Sequence, residues 1–329
     1  MVAGPILPTN TGLSSRAKRP GFFLHPAFWD AGARSRGIGR RLLLFFPALV
    51  VLTALVPVAF AGTGRVECNS VPSKILHRSV PYCILLPPSY DPETSRRFPV
   101  LYFLHGLGDN EQMFLRSGGW NLVEDSWEKG QLKEFLIATP SAGASFYINS
   151  LDGKVRYEDF LLREFFPFIE RHYRTHPGRA NRAISGVSMG GYGALHLAFR
   201  HPELFSAVSA HSAALIDRLP NFVANPASPR ARILGGTFGS PPDPALWNRN
   251  SPLTLARTAN LSGLKIYFDC GDQDDFGFDS GAAALDKILT ARHIPHEFHL
   301  YPGRHDWSYF ASHLPASLAF HSRAFPSGP

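Results

Sequence analysis

From residue 62 onward the chain alternates short apolar runs with longer amphipathic ones. Phe98–Leu104 (FPVLYFL) and Phe135–Ala138 (FLIA) are nearly continuous apolar stretches ending at His105-Gly106 and Thr139-Pro140. Such runs suit strands buried on both faces. Across Tyr157–Tyr173 the residues Tyr157, Leu161, Phe165, Phe168 and Ile169 recur at helical spacing, and Pro167 predicts a kink or a break within that helix. Arg182–Val187 reads as a strand, Gly190–Arg200 as a helix, and Phe205–Ala210 and Leu264–Cys270 as further strands. A helix over roughly 281–292 and a strand over Glu297–Tyr301 complete the series. Strands alternating with helices predict a mostly parallel sheet covered on both faces, an α/β fold.

One stretch breaks the alternation. Residues 213–262 contain Pro220, Pro226, Pro229, Pro241, Pro242, Pro244 and Pro252 together with Gly235, Gly236 and Gly239. They are expected to form a long irregular insertion, a cap over a functional site.

Composition changes the picture mainly at the N-terminus. The 329 residues are 44% hydrophobic and 18% charged, with a formal net charge of +7, which excludes a disordered chain and leaves room for a large core. Residues 1–41 hold seven Lys or Arg (Arg16, Lys18, Arg19, Arg34, Arg36, Arg40, Arg41) against Asp30, and residues 42–61 hold no charge. The body from 62 to 329 is therefore nearly neutral, and it gives no electrostatic reason to expect a nucleic-acid partner. Leu42–Ala61 (LLLFFPALVVLTALVPVAFA) follows Arg40-Arg41 and closes on Ala59-Phe60-Ala61, the layout of a cleavable export signal. A retained membrane anchor is the alternative, since 20 apolar residues can span a bilayer. Residues 1–41 are expected to be a disordered basic extension, and the body to be exported to the periplasm or the extracellular space. A membrane partner is expected only if the leader is retained. Export permits disulfides. Cys68 and Cys83 either bridge neighbouring strands or stay free thiols, and Cys270 lies far from both. No Cys/His spacing suggests zinc, so neither metal nor cofactor is expected.

Gly186-Val187-Ser188-Met189-Gly190 fits G-x-S-x-G and lies between an apolar strand and a helical run rich in small residues. That is the strand–turn–helix of a nucleophile elbow, in which flanking glycines let a strained turn lift the serine hydroxyl above the sheet. A serine needs a base to take its proton, and on this kind of scaffold acid and histidine follow in chain order. Strand 264–270 delivers Gly271-Asp272-Gln273-Asp274-Asp275, which leaves the identity of the acid open. Of His293, His296, His299, His305, His313 and His321, only His305 follows a strand and a turn, Pro302-Gly303. His296 and His299, three apart in a strand, point to opposite faces and do not make a metal pair.

His105-Gly106-Leu107-Gly108, Gly186–Ala194, Cys270–Asp274 and Gly303-Arg304-His305-Asp306-Trp307 together resemble the esterase D-type branch of the α/β-hydrolases. That branch includes S-formylglutathione hydrolases, feruloyl and acetyl-xylan esterases and mycolyltransferases. The resemblance covers roughly 65–325 and implies an α/β-hydrolase fold. It also implies a catalytic triad of Ser188, Asp274 and His305, with Asp272 and Asp275 as further candidates for the acid. The implied oxyanion hole uses the backbone N–H groups of Leu107 and Met189, and His105 would order the loop rather than move protons. The function implied is a serine carboxylic-ester hydrolase working through an acyl-enzyme, on a small-molecule or carbohydrate-linked ester. An acyltransferase that passes the acyl group to a sugar, and a non-catalytic binding protein on the same fold, are the alternatives. Phe114, Trp120, Trp127, Phe146, Tyr147, Trp247 and Phe276 are either pocket lining or core.

Overall fold

In a computed structural model of the chain, residues 63–217 and 229–326 are described. The basic extension, the Leu42–Ala61 run and residues 218–228 of the expected cap lie outside them. Among the described residues, β1 (Arg65–Ser73), β2 (Arg78–Leu86), β3 (Val100–Leu104), β4 (Leu136–Pro140), β5 (Arg182–Val187), β6 (Ala207–His211), β7 (Lys265–Gly271) and β8 (Glu297–Tyr301) form one sheet. Its order is β1-β2-β4-β3-β5-β6-β7-β8. β1–β2 and β2–β4 pair antiparallel, and every other neighbour is parallel. This is the α/β-hydrolase architecture that the alternation and the motifs imply.

Every residue of β3, β4 and β6 is buried, which is why these runs read as continuously apolar. Successive side chains still divide between the faces. Tyr102 and Leu104 enter one core with α5 (Met189–Arg200) and α9 (Phe278–Ala291), while Leu101 and Phe103 enter another with α2 (Gly119–Glu128) and α10 (Trp307–Ala324). Cys68 and Cys83 stand directly opposite in the β1–β2 register and are joined by a disulfide, and Cys270 is a buried free thiol.

The break expected at Pro167 takes a specific form. A π-helical turn, Leu161–Phe165, separates α3 (Tyr157–Phe160) from α4 (Phe166–His172), and Pro167 sits in the first turn of α4, where no N–H is needed. The stretch 213–262 is not irregular throughout. It carries α6 (Pro229–Phe238), α7 (Pro244–Asn250) and α8 (Pro252–Thr258). Pro244 and Pro252 begin helices rather than prevent them, because proline's fixed φ suits the first helical position. This segment seats on α5: Phe238 meets the Tyr192 ring at 6.5 Å, and the Tyr192 hydroxyl donates to the Asn250 carbonyl at 2.9 Å.

Candidate active site

The turn between β5 and α5 holds Ser188 at φ 54°, ψ −117°, outside the regions an L-residue ordinarily adopts. Two glycines make room for it. A Cβ on Gly190 would lie 2.0 Å from the Leu104 carbonyl oxygen, and one on Gly186 would lie 2.4 Å from the Gly190 carbonyl carbon. The strained turn is pinned from the next strand. The Ser188 N–H donates to the His211 carbonyl at 2.9 Å, and the Ser188 carbonyl accepts from Ala214 at 3.0 Å. The hydroxyl is thereby held at the N-terminus of α5, where the first helical N–H groups, beginning with Met189, have no intrahelical partner.

The loops after β7 and β8 press together above this turn. A Cβ on Gly271 would lie 2.4 Å from the Gly303 oxygen. Asp272 accepts the Gly303 N–H at 3.1 Å, and the Gln273 N–H donates to the Gly303 carbonyl at 3.0 Å. From this clasp the His305 ring projects between two partners. Its Nε2 lies 2.9 Å from Ser188 Oγ, and its Nδ1 lies 2.7 Å from Asp274 Oδ2. Asp274 is buried, and its Oδ1 accepts the N–H groups of Phe276 and Phe278 at 2.9 and 3.3 Å. Burial alone would raise this carboxyl, but the His305 ring and the two backbone donors outweigh it and hold Asp274 below the ordinary carboxylate range.

The structure therefore brings together Ser188, His305 and Asp274. Asp272 and Asp275 stand outside this line and brace the histidine loop instead. Asp275 accepts the His305 backbone N–H at 3.2 Å and pairs with Arg304. His105 is a loop organiser: its Nε2 accepts the Ala142 N–H at 2.9 Å, its Nδ1 donates to the Gly106 carbonyl at 2.7 Å, and burial pushes its pKa down. Gly106 in turn packs on Ser188, since a Cβ there would meet the Ser188 Cβ at 3.6 Å. This contact brings Leu107, the next residue, to the edge of the site, 40% exposed.

Aromatic edges surround the imidazole. Phe276, Phe278 and Phe310 approach it at centroid distances of 4.7, 5.4 and 5.4 Å, all close to perpendicular. Phe276 is half exposed. Of the other aromatic candidates, Phe114, Trp127, Phe146, Tyr147 and Trp247 are core residues, and Trp120 packs edge-on against Trp127. His296 and His299 lean on Phe268 and Tyr267, adjacent residues of β7 that face opposite sides of the sheet. Among the described residues, no group of His, Cys, Asp and Glu could hold a metal ion.

A serine in a strained turn, with an imidazole and a buried carboxylate in line behind it, can attack an acyl carbon. The model of one protein family, putative esterase, matches residues 73–321. The chain belongs to the putative esterase family. An esterase of Mycobacterium tuberculosis is 32% identical over 244 residues, covering 68% of this chain and 51% of its own length. The present chain thus spans about half the length of that relative. The S-formylglutathione hydrolase of Mus musculus is 26% identical over 298 residues, covering 80% of this chain and 95% of that protein. Among solved structures, a ferulic acid esterase superposes with a TM-score of 0.70 at 28% identity, covering 80% of this chain and 100% of the other.

Proposed function

We propose that this member of the esterase family is a serine carboxylic-ester hydrolase that works through an acyl-enzyme on Ser188. The observation that carries this reading is the line from Asp274 through His305 to Ser188, with contacts of 2.7 and 2.9 Å. In the first step His305 Nε2 takes the Ser188 proton as Oγ attacks the ester carbonyl, and Asp274 holds the ring and stabilises its cation. The N–H groups of Leu107 and Met189 receive the developing oxyanion. His305 then returns the proton to the leaving alcohol, and a water activated by the same ring releases the acid and frees Ser188. The half-exposed Phe276 ring beside His305 offers an apolar contact for a small acyl or aryl ester.

Turnover of p-nitrophenyl acyl esters and methyl ferulate, with Ser188→Ala as the control, tests this reading. Hydrolysis that falls by at least about 10³-fold in Ser188→Ala supports it. Turnover equal to that of the parent protein in the variant contradicts it.

We further propose that Leu42–Ala61 directs export and is removed. The Cys68–Cys83 disulfide supports an oxidising destination, and the near-neutral body gives no electrostatic reason to hold a membrane surface. N-terminal sequencing of the exported product should find a start at or within a few residues of Gly62. A start upstream of Leu42, with activity that sediments with membranes, would show a retained anchor instead.

A further inference from the structure

Directly beneath the candidate triad lies a second Asp–His pair with no access to solvent. Asp269, on β7 five positions before Asp274, is 1% exposed, and His211, the last residue of β6, is fully buried. Their side chains are in ion-pair contact, His211 Nδ1 to Asp269 Oδ2, at 2.8 Å. Buried charges are expensive unless several partners satisfy them, and partners supplied by different elements fix those elements relative to one another. The partners here are specific. Asp269 Oδ1 accepts the Tyr309 hydroxyl at 2.9 Å, His211 Nε2 stands 2.8 Å from the Ser317 hydroxyl, and Tyr309 and Ser317 are both on α10.

Each arm of this network ends on a segment that carries one member of the triad. The His211 carbonyl accepts the Ser188 N–H at 2.9 Å, so the imidazole's own backbone pins the nucleophile turn. The Asp269 carbonyl accepts the N–H of Ser212, which sits at φ 38° where the chain turns back beside Ser188. Asp269 belongs to the strand that delivers Asp274. Tyr309 lies four residues beyond His305 and fills the floor of its loop. A Cβ on Gly303 would lie 2.6 Å from the Tyr309 ring, and the Tyr309 N–H is capped by Asp306 at 2.9 Å. An apolar core could press the same elements together. A hydrogen bond from Tyr309 and a close contact from His211, both to one carboxylate, also set their register.

We propose that Asp269 is a positioning residue which, through Tyr309 and His211, holds His305 and Ser188 at their reactive separation. The proposal rests on the triad reading above. Its sharpest test removes one oxygen. Tyr309→Phe keeps the ring under Gly303 and deletes only the bond to Asp269. Because misplacement remote from the chemistry impairs the reactive geometry more than binding, kcat should fall by about tenfold or more while KM stays within about twofold. The same substitution in a His305→Ala background should cause no further loss, because a residue that acts through His305 has nothing left to position. Asp269→Asn, if it folds, should show the same split between kcat and KM, and if it does not fold, the Tyr309→Phe pair decides. An unchanged kcat in Tyr309→Phe overturns the proposal. So does an equal fold-loss in both backgrounds, since that marks a merely structural role. Full turnover in His305→Ala alone would remove the triad reading, and the proposal would fall with it for that separate reason.

Discussion

The carboxylate of Asp275 accepts the backbone N–H of His305 at 3.2 Å, while its neighbour Asp274 meets the ring of the same histidine at 2.7 Å. Adjacent acids therefore hold one residue in two ways, one fixing where the loop runs and the other facing the imidazole. Asp275 also pairs with Arg304 in a solvent-exposed contact, where an ion pair contributes little.

This division of labour predicts a ranking. Asp274→Asn should lower kcat for ester hydrolysis by about 10³- to 10⁴-fold, the scale seen when a triad carboxylate becomes an amide. Asp275→Asn and Asp272→Asn should each lower it by roughly tenfold or less, since each removes one of several bonds bracing the loop. Steady-state kinetics of the three variants decides the order, and a larger effect at position 275 or 272 would reassign the acid.

Stability should carry an acid limb that originates away from the active site. Glu158 is buried on α3 between His196, His201 and Arg200. Burial alone would raise its carboxyl, but the histidine hydrogen bonds and the Arg200 charge pull it well below the usual range. A depressed folded-state pKa gives stability that is present above the unfolded value of about 4.3 and is lost as the pH falls below it. Denaturant midpoints should therefore stay level above that pH and drop beneath it. Glu158→Gln should be less stable at neutral pH and should show a shallower drop.

Two glycines should respond oppositely to alanine. Gly190→Ala drives a Cβ to 2.0 Å from the Leu104 carbonyl oxygen, so strand or helix must move, and both stability and turnover should collapse. Gly236, in the middle of α6, has nothing within 4 Å of an added Cβ. Gly236→Ala should be neutral or stabilising by up to about 1 kcal/mol. Thermal unfolding of the pair reads both results.

Several parts of this arrangement were legible in the sequence. The doubly buried strands declare themselves as continuous apolar runs, and the glycines around Ser188 mark a turn that only close backbone approach requires. Chain order and strand context were enough to nominate Ser188 and His305 and to place the acid in the loop after β7, and the family resemblance then pointed to Asp274. The choice among Asp272, Asp274 and Asp275 was not open to spacing alone, because loop conformation decides which carboxylate turns inward. The helix Trp307–Ala324 escaped prediction for a different reason. Pro315 lies inside it, and Ser317, His321 and Ser322 on its buried face satisfy themselves against partners such as Ser209 and Lys133, so the apolar period that announces a helix is interrupted. The prolines of 213–262 misled in the other sense, since a proline that opens a helix and one that ends it look alike in sequence. Asp269 and His211 gave no signal, because neither lies in a recognisable motif and their proximity comes from strand pairing between β6 and β7.

If Ser188 is the nucleophile and His305 activates it, the serine should react with an electrophile that ordinary hydroxyls ignore. Treatment with a phosphonate ester that modifies only activated serines, followed by intact-mass and peptide analysis, tests both halves together. One adduct per chain is expected, located on Ser188 and formed in parallel with the loss of ester hydrolysis, with no adduct in His305→Ala over the same interval. An adduct at another serine that accompanies loss of activity, or equal labelling of Ser188 when His305 is gone, would contradict this assignment.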